Sequence, residues 1–166
     1  TGGNQWAVYT DGYDRAVRIL IEYAQEHQSE LDVIVYPLIY TARHSFELRL
    51  KHIHSDCCRM LGEEYRLPGN HNMVGIWELV KPLLKKTFTV EVLRINSSAD
   101  IEHFVNEFSK VDARASAFRY PVDKSGGQSL SAEVTHINVR SFYDQFQKAA
   151  GALDGFHVAA ELVLEG

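Results

Sequence analysis

Residues 36–53 read YPLIYTARHSFELRLKHI, and two periodicities in this stretch decide the fold. Ile39, Ala42, Phe46, Leu50 and Ile53 step by three and four, and the step continues through Cys57 and Met60. That spacing lines them along one stripe of an α-helix. Arg43, Glu47 and Lys51 follow i, i+4, i+8 and share another face, where Arg–Glu and Glu–Lys pairs can form. Pro37 falls in the first turns, where a proline is tolerated. Gly62 and the RLPGN segment after it end the helix near residue 61.

The flanking segments repeat this pattern. Asp11 can cap a helix to about residue 27, with Ala16, Ile19, Leu20 and Tyr23 at helical spacing. Residues 29–32 form the break, and residues 1–10 read as a leader, flexible or tag-derived. Asn70 or Asn72 can cap a third helix over residues 73–86, which Pro82 should kink or shorten. TFTVEVLRI alternates like a strand but is read as helical or irregular. Ser97 or Ser98 opens a fourth helix over residues 99–117. A loop follows at residues 121–127, and VTHINV beyond it can pair with FRYPV as a short hairpin. Asn138 caps a last helix to about residue 164, with a break expected near Gly151 to Gly155. The expectation is a single all-α domain over residues 1–166: about five helices in a mostly antiparallel up-and-down bundle, with at most one small β-hairpin.

Composition narrows the function classes. The 166 residues carry 45% hydrophobic and 23% charged side chains, an ordinary globular balance. A net charge of -5 argues against broad binding to duplex DNA. No apolar run approaches the ~18 residues that span a bilayer, and TGGNQWAVYT has neither the basic start nor the apolar run of a secretory signal. Cys57 and Cys58 are adjacent, a placement that rarely gives an unstrained disulfide. The expected compartment is the reducing cytoplasm.

Several polar groups are candidates for chemistry. The Arg43–Glu47–Lys51 face is either a solvated stripe or a groove in which the two cations hold an anion such as phosphate and Glu47 orients them. FRYP, residues 118–121, places Arg119 and Tyr120 on a stiff corner, because a residue before proline is pushed toward extended geometry. Its alternative is structural, with Tyr120 packed under the loop and Arg119 paired with a carboxylate. Arg49 and His54 form an R-x4-H string, and so do Arg66 and His71. Five residues of helix turn through about 500 degrees, so Arg49 and His54 stand about 140 degrees apart and cannot converge on one straight helix. His52 and Asp56 are i, i+4 and could share an ion, but no Cys or His elsewhere completes a set at recognisable spacing. No metal and no cofactor are assigned.

The order of these features resembles the HEPN domain (higher eukaryote and prokaryote nucleotide-binding). The resemblance rests on ELRLK at Glu47 to Lys51, on HNMVGI opening the next helix at His71, and on Arg119-Tyr120-Pro121 before the last long helix. HNMVGI matches an H-[DNS]-L-x-x-L pattern with Met73 and Ile76 in place of the leucines. The likeness covers about residues 11–160, and YPLIYTARHSFELRLKHI also looks like uncharacterised bacterial proteins of this kind. It implies a helical bundle, often dimeric, tied to nucleotides, RNA, or toxin–antitoxin and defence systems. Arg43, Glu47, Lys51, His71, Arg119 and Tyr120 are then the ligand-binding candidates. Ribonuclease members carry R-x4–6-H on a late helix. Here neither Arg114 nor Arg119 is followed by a histidine within six residues. The expectation is therefore a nucleotide- or RNA-associated domain rather than an enzyme. The alternatives are a metal-independent ribonuclease using Arg49, His54, Arg66 and His71, and a non-catalytic module that dimerises or docks a protein partner.

Overall fold

The structure is a computed structural model that describes residues 2–66, 68–69, 71–111, 125 and 138–166. Among the described residues the protein is an all-α bundle of six helices and one 3-10 turn. Helix α1 (Gly2–Glu26) leads through the 3-10 turn (Gln28–Glu30) into α2 (Leu31–Leu61). Residues 2–10, within the stretch expected to be a leader, are helical and belong to α1. The Trp6 ring stacks on His52 of α2 with centroids 5.7 Å apart, which gives these first turns a tertiary partner.

Helix α2 closes as the sequence requires. Gly62 adopts φ 68°, and the amides of Gly62 and Glu63 donate back to Arg59 and Cys58 at 3.2 and 2.9 Å, the double closure that glycine permits. Asn72 caps α3 (Met73–Thr87), its Oδ1 accepting from the Val74 and Gly75 amides. The α3 helix carries Pro82 and runs on to Thr87. TFTVEVLRI supplies a short helix, α4 (Val90–Ile95), capped by the Thr89 hydroxyl. Helix α5 (Ser98–Val111) follows, then α6 (Val139–Glu165), which Asn138 caps through the Ser141 amide. The expected break near Gly151 and Gly155 is absent, and α6 is continuous there. Arg119, Tyr120 and the FRYPV half of the expected hairpin lie outside the described residues. Of the VTHINV half, Asn138 and Val139 are described, and they open α6.

Side-chain pairs give the helix directions. Tyr13 meets His44 and Trp6 meets His52, so α1 and α2 are antiparallel. Phe104 packs on Phe146 and Phe108 on Phe142, so α5 and α6 are antiparallel. Simple alternation fails at one step. Glu47 meets His71 just before α3, and Cys57 meets Thr87 at its end. Helix α3 therefore runs in the same direction as α2, and residues 62–72 carry the chain back.

The core centres on α2. Phe46, Leu50 and Ile53 are fully buried, together with Ile76, Val80 and Leu84 of α3, Ile101 of α5, and Leu153 and Phe156 of α6. Each such side chain contributes about 1.5–3 kcal/mol of transfer free energy. Helix α2 packs against α1, α3 and α6, and Phe46 lies 4.7 Å from Phe104 of α5. Enclosed on so many sides, α2 buries its charged residues as well: Arg43, Glu47, Arg49, Lys51, His52 and Asp56 are all below 9% exposure. No helix among the described residues is long and apolar enough to cross a membrane.

Candidate functional site

Arg43, Glu47 and Lys51 share a face as their spacing requires, but the face is interior. The solvated-stripe alternative therefore fails: Arg43 and Glu47 are 2% exposed and Lys51 is 7% exposed. The Glu47 carboxylate is the hub. Its Oε2 accepts from Arg43 Nη1 at 3.0 Å, and its Oε1 accepts from Lys51 Nζ at 2.7 Å. The same Oε1 lies 2.8 Å from Nδ1 of His71. Arg43 Nη2 donates to the His71 carbonyl. The HNM motif explains this convergence. Asn72 fixes the start of α3, which sets the preceding residue, His71, over the α2 face with both ring and carbonyl engaged.

The electrostatics follow from that count. Burial alone would raise the Glu47 pKa; hydrogen bonds from Lys51 and His71, with the charges of Lys51 and Arg43, outweigh it and hold the carboxyl below its ordinary value. His44 lies beside this group, and burial lowers its pKa. A guanidinium and an ammonium thus share one carboxylate. Among the described residues Glu47 is the only carboxylate within ion-pair distance of either cation. Arg43 Nε is buried and has no hydrogen-bond partner there.

A second polar group lies where α1, α2 and α6 meet. Arg49 donates to Asp14 through both Nη atoms, to Ser45 Oγ at 2.5 Å and to Asp154 Oδ1 at 2.9 Å. Burial works against its charge, but the two carboxylates outweigh burial and raise its pKa. A cleft of about 360 Å³ opens over this pair of carboxylates, with Arg15, Arg18 and Tyr143 also in its wall.

Two helical turns further along α2, Asp56 gathers two histidines. His157 Nδ1 of α6 lies 2.5 Å from Asp56 Oδ2, and its Nε2 lies 3.1 Å from Glu161 Oε1. His52 Nε2 stands 3.8 Å from Asp56 Oδ1. The hydrogen bond to Asp56 raises the His157 pKa, whereas burial lowers that of His52.

The two R-x4-H strings stay apart. Arg49 is held by Asp14 and Asp154, while His54 faces Tyr65 at a ring separation of 5.5 Å. Burial lowers the His54 pKa, and its Nδ1 has no hydrogen-bond partner among the described residues. Arg66 is exposed beside Glu64, whereas His71 is turned toward Glu47. Both cysteines are free and buried, and burial pushes the Cys57 thiol up to about 11.

Comparison of the chain with protein-family models, with curated proteins and with solved structures gives no match. The site must therefore be read from its own chemistry. The Arg43–Glu47–Lys51 face and His71 were legible in the sequence. Asp14, Asp154 and His157 were not, because their partners lie 35, 105 and 101 residues away. Aspartate at the exposed edge of an amphipathic helix carries no local signal of such a partner.

Proposed function

We propose that the protein is a HEPN-like helical domain that binds the phosphate of a nucleotide or of an RNA, with the Arg43–Glu47–Lys51 ladder of α2 as its anion site. One observation carries the reading: two buried cations, Arg43 and Lys51, on a single carboxylate. Unmatched charge in a poorly hydrated site is costly, and a phosphate would balance it. Arg43 would hold the phosphate with its Nε, which has no hydrogen-bond partner among the described residues, Lys51 would act as a point charge, and Glu47 would keep both in place. His71, whose side chain is 67% exposed, forms the solvent edge of the site. Arg119 and Tyr120 belong to this proposal through the family likeness alone, as a second phosphate contact and a base-stacking surface.

The test is thermal unfolding against a panel of nucleotides and short single-stranded RNAs, with RNA integrity checked afterwards. A ligand that binds only the folded state raises the midpoint by mass action. Lys51→Met leaves one cation per carboxylate, so it should keep the fold and lose the shift; Arg119→Ala should weaken it. A shift that persists in Lys51→Met, or no shift across the panel with the wild type, would overturn the proposal. Cleaved RNA would replace it with the ribonuclease reading.

A further inference from the structure

The geometry points to a divalent transition-metal site, best suited to Zn2+, formed by His52 and Asp56 of α2 with His157 of α6. It is separate from the α2 ladder and does not depend on the proposed function. The ligand atoms of the three side chains all lie within 4.8 Å of one another. Zinc bonds of about 2.0–2.1 Å in tetrahedral geometry place neighbouring ligand atoms about 3.3 Å apart. The observed separations, 3.8 Å from His52 Nε2 to Asp56 Oδ1 and 2.5 Å from His157 Nδ1 to Asp56 Oδ2, fall on either side of that value. An ion at the centre would require the first to close and the second to open by less than about 1 Å each. The His52–Asp56 distance is too long for a hydrogen bond, and an ion between them would satisfy both.

Three further features match a metal centre. Ligating histidines usually direct their second ring nitrogen to a carboxylate or carbonyl, and His157 presents Nε2 to Glu161 at 3.1 Å. The His52 ring is held in plane by the stacked Trp6. The two histidines also have an open side: a cleft of about 200 Å³ is lined by both of them, with Thr10 and the carboxylate-paired Arg49 in its wall. The Thr10 hydroxyl is buried without a hydrogen-bond partner among the described residues. Three protein ligands and an open position describe a site that can bind water or a substrate group. The two imidazoles with one carboxylate favour zinc and its first-row neighbours over magnesium or calcium, which prefer all-oxygen sets. Arg59, 4.0 Å from Asp56, opposes cation binding, but its side chain is 57% exposed and can swing into solvent. The alternative is a proton-sharing network in which His157 bridges Asp56 and Glu161 without a metal.

The experiment uses the full chain, stripped with a chelator and dialysed against Zn2+ or Co2+. We expect one metal per chain by elemental analysis and intense visible absorption from the cobalt form. His52→Ala and His157→Ala should each lose the cobalt band while keeping the helical circular dichroism spectrum. Glu161→Gln should weaken metal binding about tenfold. The double variant His27→Ala/His103→Ala, at two exposed positions, should keep the full stoichiometry. Wild-type protein that retains no metal after dialysis would overturn the site, as would a cobalt band unchanged in His157→Ala. Either result leaves the proton-sharing network as the account of these residues. If a variant loses helical structure, Asp56→Asn replaces it as the test, since asparagine keeps the side-chain shape while removing the charge.

Discussion

Arg49 shows how much one side chain can hold in this bundle. It is 7% exposed and joins Asp14 of α1 to Asp154 of α6. Removing one partner of a buried pair costs about 3–5 kcal/mol. The aspartates here are 33% and 55% exposed, so water can take over part of the role of the guanidinium. Arg49→Ala should therefore destabilise the protein by about 2 kcal/mol in urea unfolding. A cost below about 0.5 kcal/mol would mean that the three helices do not depend on this junction. Glu47 makes a pH prediction. Its folded pKa lies below the ordinary value of 4.5, so its contribution is fully present above that pH and is lost as pH falls through the folded pKa. Glu47→Gln should flatten the stability curve below about pH 4.5 relative to wild type, read by denaturant unfolding at stepped pH. Equal slopes would show that the carboxylate gains nothing from Lys51, His71 and Arg43. Spacing made the co-facial placement of Arg43, Glu47 and Lys51 legible in the sequence. It could not reveal burial, because a charged face reads as a solvent face unless other helices cover it.

At the level of elements, two glycines four residues apart in α6 should respond in opposite directions to the same change. A Cβ at Gly151 would meet nothing within 4 Å, and the position is exposed. Gly151→Ala should then stabilise the protein by about 0.5–1 kcal/mol, the usual gain in a helix interior. A Cβ at Gly155 would collide with the Asn96 side chain, lying only 2.9 Å from its Cγ. Asn96 can yield only by giving up the hydrogen bond that its Nδ2 donates to the Val92 carbonyl at 3.1 Å. Gly155→Ala should cost about 1–3 kcal/mol, and Asn96→Ala in the same chain should recover most of it. If both glycine substitutions stabilise equally, the contact between α6 and the end of α4 is not as described. The caps at Asn72 and Asn138 and the stop at Gly62 were legible, since capping chemistry is local. The continuity of α6 was not: glycines that read as a break are, at Gly155, room for another element. The helix over residues 2–10 was not legible for a related reason. It rests on packing such as Trp6 over His52, which lies 46 residues away in the chain.

At the scale of the whole molecule, the all-α class and most helix positions followed from periodicity, because amphipathic spacing records which way a helix faces. The arrangement of the helices did not follow. Nothing in the residue 62–72 segment announces that it carries the chain back so that α3 runs alongside α2 in the same direction. The polar junctions between α1, α2 and α6 depend on that arrangement and were equally hidden. His157 has no meaning as a ligand or hydrogen-bond partner until α6 lies beside α2. The Lys51→Met ligand test and the cobalt test therefore probe two different consequences of a single placement, that of α2 at the centre of the bundle.

The interior ladder also bears on how this chain could be redesigned. Buried ion pairs can often be replaced by apolar side chains of similar volume with no loss, or with a gain, in stability. A bundle optimised only to stay folded would have leucine and methionine where this one has Arg43, Glu47 and Lys51. Those three positions are where a more heat-resistant protein is within reach, and where obtaining it would erase the proposed anion site.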